Sequence, residues 1–140
     1  MKSWHLVAGC CLLLAGCGGS ADLPKVEISG HVTYDGKPIE SGEITFLPLA
    51  GTKSPPTTAM ITNGDYRTTS RGSIAAGKYR VEIREYRESK NAETGIPEPA
   101  PAMVPRDQIL PAKFNTDSTM ELEVSDLSQP ISKNFDLKMK

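Results

Sequence analysis

Apolar and polar residues alternate in short runs along most of the chain, and a period of two is typical of β-strands that bury one face. The clearest run covers residues 78–86, in which Tyr79, Val81 and Ile83 fall on one face and charged side chains fall on the other. We expect the apolar face to be buried and the charged face to be solvated. The same pattern predicts seven strands, over residues 26–34, 43–49, 58–62, 66–69, 78–86, 119–124 and 131–139.

Turn sequences separate these runs. Asp35-Gly36 and Asn63-Gly64 are pairs that accept positive φ angles, so each predicts a tight hairpin. Ser41-Gly42 predicts another turn, just before the second strand. No run after the first 20 residues has a helical period of more than a turn or two. The chain is therefore expected to be all-β and to form an antiparallel β-sandwich of seven strands. The alternative is a small barrel, because the spacing of the strands does not distinguish the two folds.

Residues 88–109 interrupt the alternation. They contain prolines at positions 97, 99, 101 and 105 and have no usable period, which predicts an irregular, partly polyproline-like excursion. No strand pattern requires the apolar side chains of Ile96, Met103, Val104 or Ile109 in the core, and we treat the first three as candidate partner-binding residues. The alternative is a flexible spacer that packs loosely over a sheet edge.

The N-terminal residues have the layout of a secretion signal. Lys2 supplies a positive charge, residues 6–15 are apolar, and small residues precede Cys17. The apolar run is shorter than the about 20 residues that a transmembrane helix needs. Leu14-Ala15-Gly16-Cys17 matches the lipobox of bacterial lipoproteins, in which diacylglycerol alkylates the cysteine thiol and the chain is cut before that cysteine. We therefore expect Cys17 to be the lipidated residue.

Cleavage at this point divides the precursor into three parts. They are a signal peptide, a lipid anchor with its tether, and the β domain, over residues 1–16, 17–25 and 26–140. An anchor with palmitate-like acyl chains makes a membrane the first expected partner and the cell envelope the expected location. Gly18 follows the cysteine where some Gram-negative lipoproteins carry an Asp that retains them in the inner membrane, so we expect the outer membrane.

Charge and composition exclude several classes of function. The 16 basic and 17 acidic side chains are interspersed, and no basic stripe favours nucleic acid as a partner. Trp4 and His5 fall in the signal, which leaves His31 as the one histidine of the mature chain. A zinc peptidase needs three protein ligands, and a Ser-His-Asp hydrolase needs partners for its histidine that no local motif supplies here. We expect a non-enzymatic monomer with no metal or cofactor, and His31 as an ordinary strand residue.

Other polar and aromatic side chains have structural interpretations as well. We expect Glu82, Glu85 and Glu88 to pair with arginines across strands on a solvated face, rather than to form a catalytic carboxylate pair. Sugar binding by stacking needs exposed aromatic rings, and the candidates are Tyr34, Tyr86 and Phe114. The alternative for each of them is a core position at the end of a strand.

Several segments together resemble the carboxypeptidase regulatory-like domain. They read GHVTYDGKPI at residues 30–39, GEITFLP at 42–48, NGDY at 63–66 and GKYRV at 77–81. LPAKFN at 110–115 and NFDL at 134–137 resemble the ending of small bacterial lipoproteins that carry this domain. The resemblance implies an immunoglobulin-like or prealbumin-like (transthyretin-like) β-sandwich without catalytic residues. It does not cover the excursion at 88–109.

These expectations combine into one functional hypothesis. The chain is a membrane-anchored, non-catalytic β-sandwich lipoprotein that binds or organises a partner in the cell envelope, either a protein or a polysaccharide. The alternative is an accessory subunit that presents a ligand or substrate to an envelope enzyme or transporter.

Overall fold

The fold is known from a computed structural model that describes residues 23–69, 72–89 and 106–139. Strands make up 55% of it and helix 4%, which confirms the prediction of an all-β chain. Its antiparallel sheets form a curled half-barrel. Among the described residues, no helix has the length and apolar character needed to cross a membrane.

The described residues form twelve short strands where the sequence predicted seven longer ones. Glu27 separates the first two, and Lys133 with Asn134 separates the last two, so two predicted runs are each split. The strands are β1 Lys25–Val26, β2 Ile28–Tyr34, β3 Lys37–Pro38, β4 Ser41–Pro48, β5 Thr57–Thr62, β6 Asp65–Arg67, β7 Ile74–Ala75, β8 Gly77–Glu88, β9 Arg106–Gln108, β10 Glu121–Val124, β11 Ile131–Ser132 and β12 Phe135–Leu137.

The main sheet has the strand order β10-β8-β4-β5-β6-β2-β11. The pairs from β10 to β2 are antiparallel, as predicted. β11 and β12 pair with β2 in parallel, which departs from the antiparallel prediction. The departure arises because the last segment runs beside β2 in the same direction, with Phe135 opposite Val32 and Leu137 opposite Tyr34.

The core lies on the concave side of the sheet. Tyr79, Val81 and Ile83 are fully buried, as the alternation in β8 predicts. The Tyr79 hydroxyl donates a hydrogen bond of 2.8 Å to the Ala75 carbonyl oxygen, so this ring also fixes β7 against the start of β8. Tyr66 bridges two further aromatic rings, with centroids 6.2 Å from Phe46 and 6.3 Å from Phe135.

Two predicted turns are confirmed and one is wrong. Asp35-Gly36 and Asn63-Gly64 form tight turns in which all four residues have positive φ, from 48° to 87°. Ser41-Gly42 belongs to β4 instead. Gly42 has a physical reason to be glycine there, because a Cβ would overlap the Arg84 carbonyl group of the neighbouring strand.

The prediction of irregular structure throughout 88–109 is partly wrong. Residues 106–108 form β9, which pairs with the end of β8, and the Ile109 amide donates to the Glu85 carbonyl oxygen at 3.1 Å. Leu110 and Phe114 then bury their side chains in the core, the latter in a short 3₁₀ turn, Ala112–Phe114. Residues 90–105 lie outside the described part of the chain.

Strand β8 connects two ends of the domain. Its first residue, Gly77, follows β7, which pairs with β1 close to where the described chain starts. Its last residue, Glu88, pairs with Arg106. At about 3.3 Å per residue, the 12 residues of β8 span roughly 35 Å. We call the end beside Leu23 the near end and the end beside Glu88 the far end.

Candidate functional site

The pairing of β2 with β6 brings two of the motif segments together. His31 lies opposite Asp65, and Ser29 lies opposite Arg67. Because side chains alternate along a strand, these four residues share the convex face of the sheet. They line an open depression of about 540 Å³, which we call the His31 depression, together with Gly30, Tyr66 and Asn134.

The imidazole of His31 is held by a carboxylate. Its Nδ1 lies 2.8 Å from Asp65 Oδ1, and the side chains are 39% and 81% exposed. A neutral imidazole in this position donates from Nδ1 and keeps Nε2 as an acceptor. The backbone amide of His31 donates to Asn134 Oδ1 at 2.8 Å, which fixes the Asn134 amide at the edge of the same depression.

Two glycines allow this arrangement. Gly64 has a φ of 87°, and a Cβ there would overlap the His31 ring. A Cβ on Gly30 would overlap the Lys133 carbonyl oxygen. The close approach of the ring to the turn, and of β2 to the segment before β12, therefore requires glycine at both positions.

Tyr66 also lines the depression, and its side chain is structural. Its hydroxyl donates a hydrogen bond of 2.7 Å to the Lys133 carbonyl oxygen. Burial raises the pKa of the Tyr66 hydroxyl well above its usual value, so the group stays protonated and keeps this bond.

The His31 depression offers both donors and acceptors to a ligand. It carries the guanidinium of Arg67, the carboxylate of Asp65, the Nε2 of His31, the amide of Asn134 and the hydroxyl of Ser29. Such a set suits a polar ligand rich in hydroxyl, amide or carboxylate groups. In the part of the chain that the structure describes, no group of three His, Cys, Asp or Glu side chains converges to hold a metal ion.

The sequence prediction for His31 missed its partner. His31 is a strand residue, as expected, but its pairing with Asp65 depends on the register between β2 and β6. The Asn63-Gly64 turn could have indicated which residues of β5 and β6 face each other. It carries no information on how β2 aligns with β6.

The predicted solvated face of β8 is partly wrong. Glu82 has a side chain only 8% exposed, and its carboxylate lies 2.7 Å from Arg80 Nη2 and 2.9 Å from Arg84 Nη2. These partners are on the same strand, two residues away, rather than on a neighbouring strand. Arg84 also reaches Glu43 across the sheet at 3.5 Å. Flanking arginines therefore bury Glu82 on a convex face.

The other two acidic candidates have separate environments. Glu85 is 8% exposed and lies 3.4 Å from Arg87 Nη2 at the far end, whereas Glu88 is exposed. Glu82 and Glu85 thus pair with arginines of their own strand rather than across strands as predicted, and neither carboxylate is solvated.

The aromatic candidates for sugar binding are mostly occupied by contacts within the chain. Phe114 is buried, which contradicts its candidacy for exposure, and its ring meets the Tyr34 ring edge-on at 5.9 Å. Tyr86 is half-buried and donates to Glu43 Oε1 at 2.9 Å. Burial and this carboxylate raise the pKa of Tyr86.

The remaining predicted site residues fall outside the described ranges. This applies to the lipidation site Cys17, to the lipobox residues Leu14, Ala15 and Gly16, and to the candidate partner-binding residues Ile96, Met103 and Val104. Ile109 is described and is 38% exposed at the far end.

No known protein family, curated protein or solved structure matches this chain.

Proposed function

We propose that this chain is a lipoprotein of the bacterial cell envelope, attached to a membrane through Cys17, whose β domain binds a partner without catalysing a reaction. The lipobox Leu14-Ala15-Gly16-Cys17 supports the anchor. Only five residues stand between Cys17 and Leu23, the first described residue, so an extended tether reaches roughly 20 Å. A tether this short keeps the near end of the domain close to the bilayer.

The position of the excursion carries the proposal for partner binding. Ser89 and Arg106 flank the proline-rich segment, and both lie at the far end, across from the tether along β8. The 12 residues of β8 separate Glu88, at the base of the segment, from Gly77 at the near end by roughly 35 Å. Loops of this length in compact domains are often functional, and their prolines lower the entropy lost on docking.

We further propose that the domain is a prealbumin-like β-sandwich of the carboxypeptidase regulatory-like kind. The described residues are mostly strands in antiparallel sheets, which supports an all-β domain of this kind. The segments at residues 30–39 and 63–66, which carry the resemblance, pair as neighbouring strands. An experimental structure with two facing sheets would support this assignment, and a single closed barrel would contradict it.

The experiment compares replacements at the two ends of the domain. Residues 91–105 of the acylated chain are replaced by a short Gly-Ser linker, and a control replaces residues 54–56 at the near end in the same way. We expect the first variant to lose the partner captured from envelope extract while its melting temperature stays nearly unchanged. The control should keep the partner. Capture that survives the first replacement, or unfolding of that variant, would contradict the proposal.

A second candidate function is the presentation of a small polar ligand to an envelope enzyme or transporter. The mixed donors and acceptors of the His31 depression favour it. Titration with envelope saccharide fragments should shift the NMR signals of His31 and Asn134, and His31→Gln should weaken that response. Unchanged signals across such fragments would remove this candidate.

A further inference from the structure

A second depression, of about 360 Å³, lies at the near end of the domain. Its lining includes Leu23, Pro24, Ala75, Ala76 and Leu127, with Lys53 at its edge. Leu23 is 44% exposed, and Leu127 is half-buried against the core. The three other large apolar side chains exposed in the described residues are dispersed, since Met60 lies on the convex face and Ile109 and Met139 lie toward the far end. The near end thus has an apolar depression where the chain enters the domain.

We propose that this depression rests on the bilayer surface when Cys17 is acylated, so that lipid covers Ala76 and Leu127. The inference depends on the lipid anchor proposed above. Leu23 is six positions after Cys17, a reach of roughly 20 Å at most for an extended chain. Acyl chains on Cys17 would insert in the bilayer, so the bilayer is the nearest apolar surface available to this depression.

The charges near the depression fit an interfacial position. Lys53 is exposed at its edge, and an ammonium group there favours anionic headgroups. Asp126 precedes Leu127, and its carboxylate accepts a hydrogen bond of 2.8 Å from the Ser128 amide. This hydrogen bond holds the Asp126 carboxylate against the backbone of the turn at 126–128, which leaves the Leu127 side chain at the depression.

This contact would set the orientation of the whole domain. β8 starts directly after Ala76, so a near end that rests on lipid directs the strand away from the bilayer. The far end, with Ser89 and Arg106, would then face other envelope components. Without the contact, the short tether alone would let the domain tumble beside the membrane.

The test places a single nitroxide label on the acylated full chain. The three cysteines of the precursor are Cys10, Cys11 and Cys17, so an introduced cysteine is the one free thiol after cleavage and acylation. Ala76→Cys and Ser128→Cys report on the near end, and Thr62→Cys is the matched control, exposed toward the far end of β5. Mass spectrometry of each protein first establishes acylation at Cys17. Collision rates with oxygen, which partitions into lipid, and with a water-soluble nickel complex are then measured in phosphatidylethanolamine–phosphatidylglycerol vesicles.

We expect the oxygen-to-nickel ratio at both near-end labels to exceed that at Thr62→Cys several-fold. Equal ratios on an acylated, vesicle-bound protein would overturn this inference and leave the anchor intact. Low collision rates with both reagents at the near end would show that a second copy covers the depression, which also overturns it. Absence of acylation would overturn the anchor and this inference together.

Discussion

The near and far ends of β8 differ in chemistry as well as in position. The near end has a depression lined by apolar side chains, among them Leu23 and Leu127. The far end has a smaller cleft lined mainly by polar and charged side chains, including Glu40, Glu85 and Arg87, beside the base of the proline-rich segment. One continuous strand, β8, thus separates an end that can contact lipid from an end that can contact a charged macromolecule.

The largest expected effect removes the anchor. Cys17→Ala should abolish acylation and leave an uncleaved precursor, because no other cysteine follows a small-residue pair behind a sufficient apolar run. Mass spectrometry and membrane fractionation measure both outcomes. Cys10→Ala is the matched control and should be processed normally. Normal processing of Cys17→Ala would contradict the lipid anchor, and with it the assignment of the near end to the membrane.

The second prediction tests whether β8 joins the ends into one cooperative unit. Tyr79→Ala should lower the free energy of unfolding by about 3 kcal/mol or more, the range for truncating a large buried aromatic side chain. Lys78→Ala, next to it on the convex face and exposed, should change stability by less than about 0.5 kcal/mol. Denaturant unfolding measures both values. Hydrogen exchange at Arg87 in the Tyr79 variant should rise as much as exchange near Ala75, and loosening confined to the near end would show that the ends unfold independently.

The third prediction concerns the His31 depression, between the two ends. Gly64→Ala should destabilise the domain by about 1–3 kcal/mol, because Ala is strained at positive φ and its Cβ would overlap the imidazole. In a His31→Ala background the same substitution should cost less, since the overlap disappears and only the backbone strain is left. Equal costs in both backgrounds would show that the ring does not pack on Gly64.

The smallest expected effect is a pH dependence along the β2–β12 pair. The Thr33 hydroxyl donates to Asp136 Oδ1 at 2.8 Å. This hydrogen bond is the largest cause of a lowered pKa of the Asp136 carboxyl group, and a hydrogen bond from Lys138 is the second. A lowered folded-state pKa stabilises the fold above the unfolded value of about 4 and loses that contribution as the pH falls through the folded value. Thr33→Val should therefore flatten the loss of stability below about pH 4, whereas Thr33→Ser, which keeps the hydroxyl, should not. Identical acid unfolding curves for the two variants would exclude this contribution.

The alternating pattern predicted most strands because burial and period two coincide in them. β8 shows this well, since its apolar positions fill the core. The same pattern failed for Glu82, because a row of alternating charges looks the same whether it is solvated or stacked between arginines. It also failed for β9, whose residues Arg106 and Asp107 are exposed and therefore carry no apolar period.

The candidate site was harder to predict than the fold. Its residue types are common on strand surfaces, and their convergence depends on tertiary register. His31 and Asp65 are separated by 34 positions in the sequence, and no local pattern specifies that they pair. The turn sequence predicted positive φ at Gly64, and the structure adds a second reason for glycine there, the close approach of the His31 ring. Gly30 is required by the close approach of the Lys133 carbonyl group, which no local pattern indicates.

Photo-crosslinking in living cells tests most directly whether the near end contacts lipid and the far end contacts a protein partner. A photoreactive amino acid is placed at Ile109 on the far end or at Ala76 on the near end of the otherwise native chain. We predict a discrete protein adduct from position 109 and lipid adducts, without that protein, from position 76. The same protein adduct from position 76, with none from position 109, would contradict the account.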